Sequence, residues 1–184
     1  MSVRSGFLSF AVVSLAAAVG CSTAMQMRNA AARAEAVMSD ANGSPVGTAQ
    51  IWQDGNGVVS VEISSLRLPA GTHGIHFHEV GKCETGTTPF STAGGHYNPM
   101  GMQHGLQNPS GPHAGDNPNI VIPAGGVGNV SFTTDRVSLT PGPRTLLDAD
   151  GTSLVVHANA DDQVTNPSGN SGGRIACGVV RALP

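Results

Sequence analysis

From Ala34 to the end, the chain is a succession of short apolar or alternating runs, each cut by glycine, proline, asparagine or aspartate. Val59, Val61 and Ile63 alternate with Ser60, Glu62 and Ser64, the period-2 signature of a strand with one buried face. Such runs are predicted at Ala34–Ser39, Val46–Asp54, Val58–Ser65, Thr72–His78, Ile120–Ile122, Val127–Thr133, Val137–Leu139, Ser153–His157 and Ile175–Val180. Asp40-Ala41-Asn42-Gly43 and Asp54-Gly55-Asn56-Gly57 join the first three, with residues that tolerate the backbone angles of tight turns. No stretch reads as an amphipathic helix longer than two turns. The expected fold is therefore all-β, a Greek-key sandwich or barrel of about eight antiparallel strands. Composition agrees: 25 glycines, 12 prolines and only 11% charged residues suit turns and strands better than helices.

The first residues form a unit of their own. Arg4 precedes a mostly apolar run, Phe7 to Gly20, too short to span a bilayer comfortably but matched to a signal-peptide core. Ala18-Val19-Gly20-Cys21 has the small residues and terminal cysteine of a bacterial lipobox. The expectation is a signal peptide over residues 1–20, a lipid on Cys21, a tether over 21–33 and one domain over 34–184. The protein is thus expected to be exported and held by its lipid on a bacterial membrane, in the periplasm or at the cell surface. Ordinary cleavage nearby, with Cys21 discarded or left free, is the alternative. Cys83 and Cys177 then remain as an even pair in an oxidising compartment, read as a disulfide, with two buried free thiols as the alternative.

Net charge is -3, and no basic block or aromatic ladder is present, so nucleic acid is not an expected partner.

The segment from Cys83 to Asn119 breaks the strand rhythm. It is too long for a plain connection, and between His96 and Asn119 half the residues are glycine, proline or asparagine. Such a segment cannot order itself by apolar burial. His96, His104, His113 and Asp116 lie within it, three imidazoles and one carboxylate, the donor set of a tetrahedral zinc site whose binding energy would supply the order. His76 and His78, two apart on a predicted strand, point to one face of the sheet. His157 ends another predicted strand.

Six ordered motifs make the chain from about Ala34 to Pro184 resemble the bacterial secreted copper/zinc superoxide dismutases. They are Gly74-Ile-His-Phe-His-Glu-Val-Gly-Lys-Cys83, Gly94-Gly-His-Tyr-Asn-Pro99, His104-Gly105, His113-Ala-Gly-Asp116, Leu154-Val-Val-His157 and Gly169-Asn-Ser-Gly-Gly-Arg-Ile-Ala-Cys-Gly-Val179. The resemblance implies copper on His76, His78, His96 and His157, and zinc on His96, His104, His113 and Asp116, with His96 shared between the two. It implies a carboxylate, Asp161, tying a copper histidine to a zinc histidine, and an arginine, Arg174, that positions the superoxide anion beside copper. Cys83 and Cys177 match the family disulfide, and His73 matches a structural core position. Dismutation of superoxide to oxygen and hydrogen peroxide follows as the implied activity, with His96 carrying a proton. A non-catalytic copper- and zinc-binding domain on the same fold is the rival.

Two family properties do not carry over. Only eleven residues, none charged, separate Asp162 from Arg174, where many relatives have a longer charged loop that guides the anion. Lys82 is the remaining candidate for steering. A homodimer is compatible with the family, but no subunit surface is carried over, because relatives assemble differently.

Overall fold

A computed structural model describes residues 26, 27 and 30–184; the expected signal peptide and Cys21 lie outside the described residues. Among the described residues, ten strands form in chain order. They are β1 (Ala32–Asp40), β2 (Pro45–Gln53), β3 (Val59–Arg67), β4 (Gly71–His73), β5 (Ile75–His78), β6 (Ile120–Ile122), β7 (Val127–Thr134), β8 (Ser153–His157), β9 (Arg174–Val179) and β10 (Arg181–Ala182). The two predicted turns are built alike. In each, the aspartate side chain accepts two backbone N–H groups at 2.9 Å, Asp40 from Asn42 and Ser44, Asp54 from Asn56 and Val58. These turns make antiparallel hairpins of β1, β2 and β3, in whose register Ala34, Ile51 and Val61 stand in one buried row.

The remaining order is not sequential. The main sheet runs β5-β8-β9-β1-β2-β3-β7, with β10 paired to β1, so the last strands insert between β5 and the first hairpin. Ile75 and Phe77, from one end of this path, share a buried cluster with Val130 from the other. The sheet therefore curls around one core, as the all-β expectation requires.

Two predicted strands are corrected. Thr72–His78 is divided at Gly74, whose N–H and carbonyl bond outward to Asn159 and His157, so β4 pairs with β6 while β5 pairs with β8. Val137–Leu139 is not a strand. Val137 and Leu139 are buried, but the Leu139 N–H donates to the side chain of Gln53 at 2.7 Å instead of to a neighbouring strand.

One strand edge positions the site. β5 ends the sheet path, and an unpaired edge invites pairing. The long segment after it folds back and occupies that edge. Tyr97 N–H donates to the Phe77 carbonyl at 2.8 Å, Phe77 N–H to Gly115 at 2.9 Å, and Gly115 N–H to Tyr97 at 2.8 Å. Isolated bridges set His96 opposite His78 and Asp116 opposite His76. Residues from a distant part of the chain thus face the strand histidines.

Candidate metal centre

The six motif histidines and Asp116 converge into two adjoining groups. In the first, ligand atoms of His76, His78, His96 and His157 all lie within 4.8 Å of one another; in the second, those of His96, His104, His113 and Asp116 do. His96 belongs to both. All seven side chains are buried.

Which atom of each ring faces inward is decided by what the other atom does. His78 Nδ1 lies 3.0 Å from the Gly94 carbonyl and His157 Nδ1 lies 3.1 Å from the Gly172 carbonyl, so each ring turns its Nε2 inward, the two 3.3 Å apart. His76 uses the opposite pole: its Nε2 bonds Asp161 Oδ2 at 2.6 Å, leaving Nδ1 buried without a partner. His96 Nδ1 lies 3.0 Å from Asp116 Oδ1 while its Nε2, toward the first group, is also buried and unpartnered.

Around Asp116 Oδ1 stand His96 Nδ1 and His104 Nδ1 at 3.0 Å and His113 Nδ1 at 3.3 Å. A tetrahedral zinc with ligands about 2.0 Å away would separate those ligands by about 3.3 Å. The other carboxylate oxygen, Oδ2, accepts the N–H groups of Gly105 and His113, each at 2.9 Å, and so fixes the plane of the group. Buried polar atoms without hydrogen-bond partners are rare in folded proteins. Three of them here, His76 Nδ1, His96 Nε2 and His113 Nδ1, point into the two groups, and the donor sets suit copper and zinc. The residues fit both metals.

Electrostatics keeps the nitrogens ready to donate lone pairs. Burial pushes His157 down to about 3 and His96 to about 4, and lowers His76 and His78 as well, so these rings are neutral at neutral pH. His104 differs. Burial pulls it down, but hydrogen bonds to Asp116 and Asp161 outweigh that and raise it to about 9. Burial pulls both carboxylates up, but hydrogen bonds from His104, His113 and His96 hold Asp116, and from His104 and His76 hold Asp161, well below the usual range.

Asp161 stands between the two groups. Oδ2 bonds His76 and Oδ1 bonds His104 Nε2 at 3.0 Å, so one carboxylate orients a ring in each group. It is clamped by Asn119, whose side chain accepts the Asp161 N–H and donates to its carbonyl, both at 2.8 Å. Arg174, half-buried at the start of β9, donates through Nη1 to the Phe90 carbonyl and through Nη2 to the Gly94 carbonyl. The Cys83–Cys177 disulfide is formed, with Cα atoms 5.6 Å apart, and ties the Phe90 loop to the strand that carries Arg174. Phe90 sits in the left-handed region at φ 60, a conformation uncommon for a bulky residue. Its side chain is fully buried in a small cluster with Val155 and Cys177, which holds it there. His73 is buried away from both groups, its ring nitrogens 2.9 Å from the carbonyls of His157 and Pro69, as the core reading expects. Lys82 lies on the surface beside the disulfide.

Several contributors carried no sequence signal. The carbonyls of Phe90, Gly94 and Gly172 orient site residues through backbone atoms alone. Arg136, whose Nη2 donates to the Asp116 carbonyl at 2.6 Å, reads in the sequence as one more surface arginine.

Comparison with known proteins identifies the family of the chain. Residues 46–180 match the family described as copper/zinc superoxide dismutase (SODC). A Cu-Zn superoxide dismutase of Deinococcus radiodurans is 44% identical over 158 residues, covering 78% of this chain and 81% of that protein. One from Aquifex aeolicus is 40% identical over 151 residues, covering 81% and 86%. The crystal structure of a superoxide dismutase-like protein from Bacillus subtilis superposes with a TM-score of 0.73 at 37% identity, covering 79% of this chain and 96% of that one. On these grounds the chain belongs to the copper/zinc superoxide dismutase family, whose members use copper and zinc.

Proposed function

We propose that copper is held by His76 Nδ1 and by the Nε2 atoms of His78, His96 and His157, and zinc by the Nδ1 atoms of His96, His104 and His113 with Asp116 Oδ1. The observation that carries this reading is His96, which presents one nitrogen to each group. Copper, when bound, supplies a one-electron couple that takes an electron from one superoxide, releasing oxygen, and gives it to a second, which leaves as hydrogen peroxide with two protons.

The chain's own residues do the rest. With its Nδ1 turned to the zinc group, His96 has only Nε2 with which to hold a proton, which it can do only while that nitrogen is not bound to copper, and from there pass it toward the anion. Asp161 keeps the His76 and His104 rings in register across both groups. Arg174, pinned by two carbonyls, offers fixed positive charge to an anion entering beside the His78 and His157 rings. The mature chain, 8 basic side chains against 12 acidic once residues 1–20 are gone, is negative overall, so attraction of superoxide has to be local. Lys82, on the surface next to the disulfide, is the proposed steering charge. Lys82→Glu is then expected to slow dismutation several-fold at low salt, the gap closing as salt rises, and an unchanged low-salt rate removes it from this role.

The test of the whole reading is metal analysis joined to pulse radiolysis of superoxide decay. One copper and one zinc per chain are expected, and His157→Ala should abolish dismutation while zinc stays bound. Zinc alone after excess copper favours a non-catalytic binding domain instead. Export with a lipid on Cys21 belongs to the same proposal, supported by the apolar run and the lipobox-like residues before it. Cys21→Ser should release the protein from membranes, and continued detergent partitioning argues against the anchor. A homodimer is left to sedimentation, with monomers at working concentration as the contrary outcome.

A further inference from the structure

The peptide that delivers His96 to the copper group is held by a side chain outside the ligand set. Glu79 follows His78 directly and is exposed at the mouth of the strand edge. Its backbone N–H donates to the Gly95 carbonyl at 3.0 Å, and its Oε1 accepts the Gly95 N–H at 2.9 Å. Gly94, at φ +74, lies under the same carboxylate: a Cβ there would stand 2.6 Å from Glu79 Oε1 and 2.7 Å from its Cγ. What the clamped peptide does is specific. The Gly94 carbonyl lies 3.0 Å from His78 Nδ1 and also accepts from Arg174 Nη2. One oxygen thus aims a ring of the copper group and the guanidinium together.

We propose that Glu79 is a positioning residue with two separable effects. Its carboxylate fixes the Gly94–Gly95 peptide that orients His78 and Arg174, and its negative charge moderates the pull of Arg174 on incoming anions. The inference rests on the reading that anions arrive at Arg174 beside copper. Burial draws the Arg174 guanidinium below its ordinary range, and the Glu79 charge opposes that shift, as two groups sharing one field should. The chain is sparing with positive charge and has no charged side chain in the loop before Arg174, so an acid bonded to the same peptide as its arginine sets anion affinity as well as loop geometry.

Two substitutions part the effects. Glu79→Gln keeps an Oε1 acceptor for Gly95 and removes the charge; Glu79→Ala removes both. Each is prepared with copper and zinc and titrated with azide, followed by its charge-transfer absorption, alongside the electron paramagnetic resonance of the Cu(II) form. Glu79→Gln is expected to bind azide about threefold tighter at low ionic strength, with the advantage fading in salt and the resonance spectrum unchanged. Glu79→Ala is expected to alter the spectrum and to bind azide more weakly than Glu79→Gln, because Arg174 and His78 lose a fixed carbonyl. Equal azide affinity in Glu79→Gln and the parent overturns the charge role, and a parent-like spectrum in Glu79→Ala overturns the positioning role. Superoxide decay by the parent is followed in parallel. A parent that binds copper without dismutating refutes the proposed function while the azide comparison still decides Glu79; one that takes up no copper refutes both.

Discussion

Replacing Asp161 by asparagine tests whether one carboxylate organises two metals. In the native site Asp161 Oδ2 and Oδ1 each receive a ring N–H, from His76 at 2.6 Å and from His104 at 3.0 Å. An asparagine of nearly the same shape has one acceptor oxygen, and its amide nitrogen must then face a ring N–H as donor against donor. One charge-assisted hydrogen bond is lost, worth about 1.5–3 kcal/mol, and the ring that loses it is free to turn. Converted at about 1.4 kcal/mol per decade, affinity for at least one metal should fall by about 10- to 100-fold, the range typical of outer groups that orient metal-binding histidines. Zinc should suffer more, because Nδ1 of His104 and Oδ1 of Asp116 share a tight group that tolerates little rotation. Competition with a calibrated chelator, for each metal separately, measures this. Native affinity for both metals in a folded Asp161→Asn protein would refute the argument.

Three further outcomes follow from other parts of the structure. Cys83→Ser opens a loop with a sequence separation of 94 residues, for which chain entropy gives about 4 to 5 kcal/mol; an unchanged urea midpoint under oxidising conditions contradicts that. Gly169→Ala would put a Cβ 1.8 Å from Asp161 Oδ1 and 2.6 Å from His104 Nε2, so zinc affinity should drop, whereas Gly125→Ala, with nothing within 4 Å, serves as the neutral control; equal behaviour of the two defeats the packing argument. In the metal-free protein His96 and His157 sit below their ordinary 6.5, so the unfolded chain binds protons that the folded one refuses, and stability is full above pH 6.5 and falls as pH drops toward 4. His104, raised to about 9, works the other way, its contribution full below pH 6.5 and lost as pH climbs through 9. Urea midpoints should therefore peak near pH 6.5, with at most about 1.4 kcal/mol per pH unit for each proton, and a flat midpoint from about pH 6.5 to 4.5 speaks against it.

Much of the fold is legible in the amino-acid sequence, for reasons that are local. Alternation along Val59–Ile63 and the paired Asp-x-Asn-Gly turns report the preferences of a few neighbouring residues, and β1 to β3 appear with their ends shifted only slightly. The candidate donor group was legible because metal chemistry favours rare residue types: six histidines and an aspartate in glycine-rich or strand-end settings could hold metal ions, and the fold brings them together. Where local preference failed, a distant partner had decided. Val137–Leu139 has the composition of a strand, yet the Gln53 side chain takes its backbone donor, and Gly74 splits the predicted Thr72–His78 strand because its backbone bonds to segments over eighty residues away.

Tertiary structure alone decided how the pieces become a site. No spacing in the chain says that the edge of β5 would be filled by residues 95–97 and 115–116, and that pairing is what sets His96 opposite His78 and Asp116 opposite His76. Nor does any residue type announce that the carbonyls of Phe90, Gly94 and Gly172 would aim Arg174, His78 and His157, since every residue has a carbonyl and only the fold chooses its direction. Side-chain identity determines which metals the protein can hold; the long-range backbone hydrogen bonds of a curled sheet determine where those side chains meet.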